Sequence, residues 1–206
     1  RLAANGMQPI DAPVSGGSVK ALAGKMTIMA SGDPKAFERA APALDAIAGK
    51  VFRLGDTPGL GSQVKMVNQL LAGVHIAATA EAMTLGAKIG IDLQQLHEVI
   101  CECAGSSWMF ENRGAHIVAG DYTPHSAVDI FVKDLGIVAS EAGKAGCNTP
   151  LTSAALALFQ QASAAGLGRE DDSAVAKILA AGAKVDLPGV DLPGVDLPEV
   201  TTADTR

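Results

Sequence analysis

The sequence predicts an α/β segment followed by an all-helical domain, so that the chain as a whole is mostly α. Three observations carry the prediction. Residues 7 to 55 alternate short β-branched runs with glycine turns and one proline-started helix. From Gly59 onward the apolar residues recur at helical spacing, with no further strand signal up to about Ala181. The chain then ends in a proline-bearing repeat unlike either part.

The elements follow in order. "RLAANG" reads as the last turns of a helix capped by Gly6, which makes the chain a fragment of something longer. "MQPIDAPVSGG" gives a strand from Met7 to Pro13 running into a glycine loop at Ser15 to Gly17, and "MTIMASG" gives a second strand. Asp33 is placed as an N-cap with Pro34 at the first helical position, so a helix runs to Gly49 and "KVFRLG" supplies a third strand. After the glycine turn comes a long helix, Ser62 to Ile89, apolar nearly all round and ended by Gly90. Four more helices are expected: from Asp92, from Ser126 to Ala145, from Pro150, and over "EDDSAVAKILAAGAK". Val185 to Glu199 reads V-D-L-P-G, V-D-L-P-G, V-D-L-P-E, which predicts a flexible or polyproline-like tail.

Composition removes several function classes. Aromatics make up 3% of the 206 residues and the net charge is -6, which argues against nucleic acid as a partner. Cys101, Cys103 and Cys147 lack zinc-type spacing and fit free thiols in the cytoplasm, with no metal expected. The most membrane-like run, Met66 to Ala80, is too short for a bilayer and carries Asn68, Gln69 and His75, so no membrane partner is expected. His75, His97, His116 and His125 show no spacing that suggests a triad. Trp108 and Phe110 line a substrate pocket or pack between helices.

The stretch "GLGSQVKMVNQLL" from Gly59 to Leu71 raises two chemical readings. As a phosphate-binding turn it lacks the third glycine, where Val64 stands, and Glu81 falls inside the same helix instead of at a strand tip. As a catalytic feature, Lys65 shares a helix face with Asn68, and Gln69 flanks it. An ammonium at the edge of an apolar helix gives up its proton more easily and can serve as general acid or base; equally, it can snorkel to solvent. Ser15, Gly16 and Gly17 form either an anion-binding nest or an ordinary strand-ending turn. Lys133 and Asp134 lie on an otherwise apolar helix and are either a third clue to a ligand site or a surface ion pair.

Taken together, "DAPVSGG", "GLGSQVKMVNQ" and "FVKDLG" in that order resemble the 3-hydroxyacid dehydrogenase family, which includes 3-hydroxyisobutyrate dehydrogenase and tartronate semialdehyde reductase. The likeness spans about Pro9 to Leu179. It implies Lys65 as the catalytic lysine, Asn68 as its substrate-orienting neighbour, Ser15, Gly16 and Gly17 as the carboxylate-binding turn, and Lys133 facing the cofactor. It further implies NAD (NADP being possible), a small hydroxy carboxylic acid as substrate, and a homodimer or homotetramer. "SSWMFENRG", "GDYTPHSAVDIFVKDLGIV" and "GREDDSAV" are similar to members acting on L-threonate. On this resemblance residues 1-58 are the last part of a Rossmann-type domain, 59-184 a helical dehydrogenase domain, and 185-206 the repeat tail. The Rossmann half's own glycine fingerprint is not in the sequence, so the chain is expected to be inactive alone. Two other readings stay open: a helical dimerisation module, and a remnant that binds hydroxyacid without turnover.

Overall fold

The computed structural model describes residues 2-190, which fall into two compact units divided between Gln69 and Leu70. The first unit is built on β3 (Met26–Gly32), flanked on one side by β1 (Ile10–Asp11) and β2 (Val14–Ser15) and paired in parallel with β4 (Ala48–Gly55). Ile10 pairs with Gly32 and Ser15 with Thr27 in one continuous antiparallel register, so β1 and β2 are two ends of a single edge strand. Pro13 interrupts it because proline has no N–H to give the ladder; its carbonyl still accepts from the Met29 amide at 3.0 Å. The strand expected at Met7 to Pro13 therefore begins three residues later, at Ile10, and runs to Ser15. The expected glycine loop is also displaced: Ser15 ends β2 and Gly17 opens a short helix, α1 (Gly17–Leu22).

The parallel pairing of β3 with β4 requires a crossover, and α2 (Pro34–Ile47) supplies it. Asp33 caps that helix as expected, its carboxylate accepting from the amides of Lys35 at 2.8 Å and Ala36 at 3.3 Å. Phe37 lies buried against Ile28 and Ala30.

From the glycine turn the chain enters α3 (Leu60–Lys88), whose later turns belong to the second unit. There α4 (Leu93–Cys101), α5 (Trp108–Ala119), α6 (Val128–Lys144), α7 (Pro150–Ala162) and α8 (Val175–Ala183) surround a core of Ile76, Met83, Ile117, Leu135 and Phe159. The helix α5 was not expected; "SSWMFENRG" is its first half, with Ser107 as N-cap and Gly120 in the left-handed region ending it. Glu170 and Asp171 do not extend the last helix, because Asp171 instead accepts from Ser173 and the His125 amide and bonds the His116 ring at 3.1 Å. Beside it Arg113 donates to both oxygens of the Asp172 carboxylate, a buried pair that ties α5 to the start of α8.

By length and composition α3 could cross a membrane. In this fold Ala72, Ile76, Ala80 and Met83 on it are core residues of the second unit.

The tail differs from expectation at its start. Leu187 is 5% exposed, and Val185 and Val190 pack on the same core, so the first V-D-L-P-G unit belongs to the folded body. The later units, 191-206, lie outside the described residues.

Candidate active site

The site is organised by an acidic residue that sequence reading passed over. Asp11, on the edge strand, accepts from the Gly59 amide at 3.1 Å, the Ser62 amide at 2.8 Å and the Ser62 hydroxyl at 2.6 Å. Ser31, opposite it on β3, donates to the same carboxylate at 3.3 Å and accepts from the Gly61 amide at 3.0 Å. Burial raises the Asp11 carboxyl, but the bonds from Ser62, Gly59 and Ser31 outweigh it and hold the group below the usual carboxylate range. The signal was present in the sequence: an aspartate ahead of the Ser-Gly-Gly turn, and a helix start with no acidic residue of its own to cap it.

This arrangement bears on the phosphate-binding reading of the glycine turn. A pyrophosphate needs the free N–H groups of such a turn at a helix N-terminus. Here those of Gly59, Gly61 and Ser62 already serve Asp11 and Ser31, so the turn carries its own anion and does not fit a dinucleotide. Gly61 is also packed too closely for any side chain, since a Cβ there would overlap the Met29 carbonyl oxygen. The glycine serves helix-on-sheet packing.

The consequence is a fixed position for Lys65. It lies half-buried one turn beyond the clamped Ser62, with Asn68 and Gln69 a further turn on. Asn68 donates its side-chain amide to Gln69 at 3.0 Å, so both polar groups are held on the helix together. Ser15 at the end of the edge strand, and Gly16 and Gly17 just beyond it, follow Asp11 by a few residues, and the two glycines take φ values of 130° and 64°. The Lys20 side-chain stem lies over Gly16 and leaves no room for a Cβ there. One carboxylate thus ties the strand that ends in the Ser-Gly-Gly turn to the helix that bears Lys65. Lys133 is on α6 in the second unit, exposed, with its ammonium 3.0 Å from the largely buried carboxylate of Asp134. Among the described residues no group of three or more His, Cys, Asp or Glu could hold a metal ion.

In the second unit a cavity of about 320 Å³ is lined by His75, Thr79, Leu96, Ser107 and Phe110, among others. Phe110 is buried and also walls this cavity, whereas Trp108 is 58% exposed. His97 bonds the Glu111 carbonyl at 2.9 Å, and His116 bonds Asp171.

Residues 59–179 match the family model described as NAD-binding of NADP-dependent 3-hydroxyisobutyrate dehydrogenase, and residues 1–55 match the NAD binding domain of 6-phosphogluconate dehydrogenase. L-threonate dehydrogenase of Escherichia coli K12 is 60% identical over 188 residues, covering 91% of this chain and 61% of the relative. The protein of that name from Cupriavidus necator is 57% identical, covering 92% and 63%. Among solved structures, 3-hydroxyisobutyrate dehydrogenase from Salmonella typhimurium is 60% identical with a TM-score of 0.82, covering 85% of this chain and 62% of that one. The Mycobacterium tuberculosis 3-hydroxyisobutyrate dehydrogenase described with L-serine is 31% identical with a TM-score of 0.74, covering 86% and 62%. The chain spans about six-tenths of the length of the curated relatives it matches. With a single family model matching more than half of its residues, the chain belongs to the NAD(P)-binding 3-hydroxyisobutyrate dehydrogenase family.

Proposed function

We propose that this chain supplies the substrate-binding and proton-transfer part of a cytoplasmic, NAD-dependent hydroxyacid dehydrogenase, with L-threonate as the favoured substrate and NADP as the alternative cofactor. The observation that carries the reading is the Asp11 clamp. It links the strand leading into Ser15, Gly16 and Gly17 to the helix that presents Lys65 and Asn68.

Oxidation of a hydroxyl removes a proton from oxygen and a hydride from carbon. In this chain Ser15, Gly16 and Gly17 take the substrate carboxylate through backbone N–H groups, and Asn68 orients the hydroxyl. Neutral Lys65 accepts the hydroxyl proton and returns it in the reverse direction. A bound nicotinamide cofactor would supply the hydride acceptor. No step is assigned to it through the glycine turn, whose donors are occupied, and Lys133 contributes at most one contact to it. A division into a dinucleotide-domain portion up to residue 58 and a helical domain from 59 is part of this reading, supported by the two family models meeting between 55 and 59.

The substrate is the finer part of the proposal. Relatives named for L-threonate and a solved structure named for 3-hydroxyisobutyrate share about the same identity with this chain. The deciding experiment joins this chain behind the N-terminal portion of the Escherichia coli relative and assays the completed enzyme with L-threonate, 3-hydroxyisobutyrate and L-serine, each with NAD and NADP. The expected result is reduction of NAD by L-threonate above the other acids; reduction with none of them would reject the assignment. Binding without turnover is the second reading, favoured by the occupied glycine turn. It predicts that L-threonate alone raises the melting temperature of this chain.

A further inference from the structure

Three helices of the second unit are held close at two points and stand apart between them. Gly86 of α3 lies against Leu96 of α4, where a Cβ would overlap the leucine side chain, and Gly114 of α5 lies as closely against His97 of α4. Between these contacts is the cavity of about 320 Å³. Small residues leave the space: Ala78 and Ala82 on α3, both exposed at its edge, and Gly105 in the turn before α5. Slack between helices ordinarily closes to native packing density, but the two glycine contacts already set the helix separations. The cavity is therefore a fixed feature of the fold.

Its walls are held as firmly as its helices. Phe110 is buried, with the His97 ring stacked on it at 5.6 Å between centroids and that ring bonded in turn to the Glu111 carbonyl at 2.9 Å. Leu96 and Ile100 add aliphatic surface. The polar groups are few, and each has a definite capacity. The Thr79 hydroxyl is turned back on its own helix, donating to the His75 carbonyl at 2.7 Å. The Ser107 hydroxyl accepts from the Phe110 amide at 3.0 Å, which leaves its O–H to donate. Among the described residues the His75 imidazole meets no hydrogen-bonding partner, and it lines the cavity. The lining thus offers an aromatic and aliphatic body with two side-chain donors.

We propose that this cavity is a second binding site, for a small arylalkanoic acid whose ring lies among Leu96, Ile100 and Phe110 and whose carboxylate accepts from His75 and Ser107. A dry, apolar cavity of about 150 Å³ holds benzene, so roughly twice that volume suits a ring with a short acid-bearing chain. Apolar walls with a few placed polar groups are the usual make-up of a small-molecule site. L-threonate does not suit it, because its hydroxyls would be left unpaired against those walls. The site is accordingly independent of the role proposed for Lys65.

The test uses the whole chain and 3-phenylpropanoate as the probe. Trp108 is the sole tryptophan and directly follows Ser107, so its fluorescence reports occupancy. The acid should change that signal saturably with a dissociation constant of about 1 mM or below, ordinary for so small a ligand, and should raise the melting temperature. Ala82→Leu enlarges an exposed helix position at the cavity edge, and should abolish binding while the melting temperature of the free chain is kept. His75→Ala should weaken the acid by about tenfold, and 3-phenylpropan-1-ol should bind the parent about tenfold more weakly than the acid does. L-threonate should not displace the probe. No saturable change up to about 10 mM acid would overturn the proposal, as would undiminished binding in Ala82→Leu or equal affinity for acid and alcohol. An affinity that falls as protein concentration rises would assign the cavity to a second copy of the chain and overturn it as well.

Discussion

Asp11 is the carboxylate on which the glycine turn closes, and removing it leaves the Gly59 and Ser62 amides without their acceptor. Asp11→Ala is expected to cost about 1 kcal/mol, the usual worth of a helix-capping side chain, measured by urea denaturation at neutral pH. The cost should depend on pH in a definite sense. The folded carboxyl titrates below its unfolded value, near 3.9. Its contribution is therefore complete above that value and disappears as the pH falls through the lower, folded one. Asp11→Asn should accordingly show a flatter acid limb than the parent, and an identical limb would show that the clamp is not ionised. Lys65 is tested by chemistry instead of stability. In the completed enzyme Lys65→Ala should lower kcat by about 10² to 10⁴ with the melting temperature unchanged, and activity within a few-fold of the parent would remove it from the mechanism.

At the level of elements, α3 is the one whose surroundings are incomplete. Its sequence reads as apolar on every side, yet Val64, Val67, Leu71 and Leu85 are each at least 39% exposed in the single chain. Val64, Leu71 and Leu85 fall on heptad spacing, the pattern of a helix that meets another helix. A homodimer or homotetramer that covers this stripe is expected, and Leu71→Asp with Leu85→Asp should reduce the assembly to a monomer by light scattering. A parent chain already monomeric at micromolar concentration would refute this. Strong local punctuation made most elements legible beforehand: Asp33-Pro34, Gly90-Asp92 and Pro150 mark boundaries that the structure keeps within a residue or two. The failure at α5 has a physical cause. Its buried positions are Phe110, Arg113, Gly114 and Ile117, so half of its inward face is an arginine paired with Asp172 and a glycine packed on His97. A periodicity search looks for apolar residues there and finds too few. The candidate site was half legible for a similar reason. Lys65, Asn68 and the Ser-Gly-Gly turn stand out by residue type, while Asp11, Ser31 and Ser62 acquire meaning only when strand and helix meet.

For the whole molecule, the decisive question is whether this chain reacts unaided. The glycine turn at α3 is occupied by Asp11, and Lys133 is already paired, so neither offers the grip that holds a dinucleotide against a substrate carbon. Calorimetric titration with NAD and NADP should show no micromolar binding, and an absorbance assay at high hydroxyacid no sustained reduction. Either signal would mean that a nucleotide site exists elsewhere on the chain. The clamp has a further consequence for how the fold comes together. The β3, α2 and β4 elements are contiguous in sequence and meet by a short crossover, whereas Asp11 reaches Gly59 and Ser62 across 48 and 51 residues. Closing so long a loop carries an entropic cost that the compact crossover avoids, which places the clamp among the last contacts to form and the first to open. The amides of Gly59, Gly61 and Ser62 should then exchange with solvent deuterium as one group, sooner than those of Ile28 and Ala30 in the sheet, so that the role proposed for Lys65 would rest on the least persistent part of its own unit.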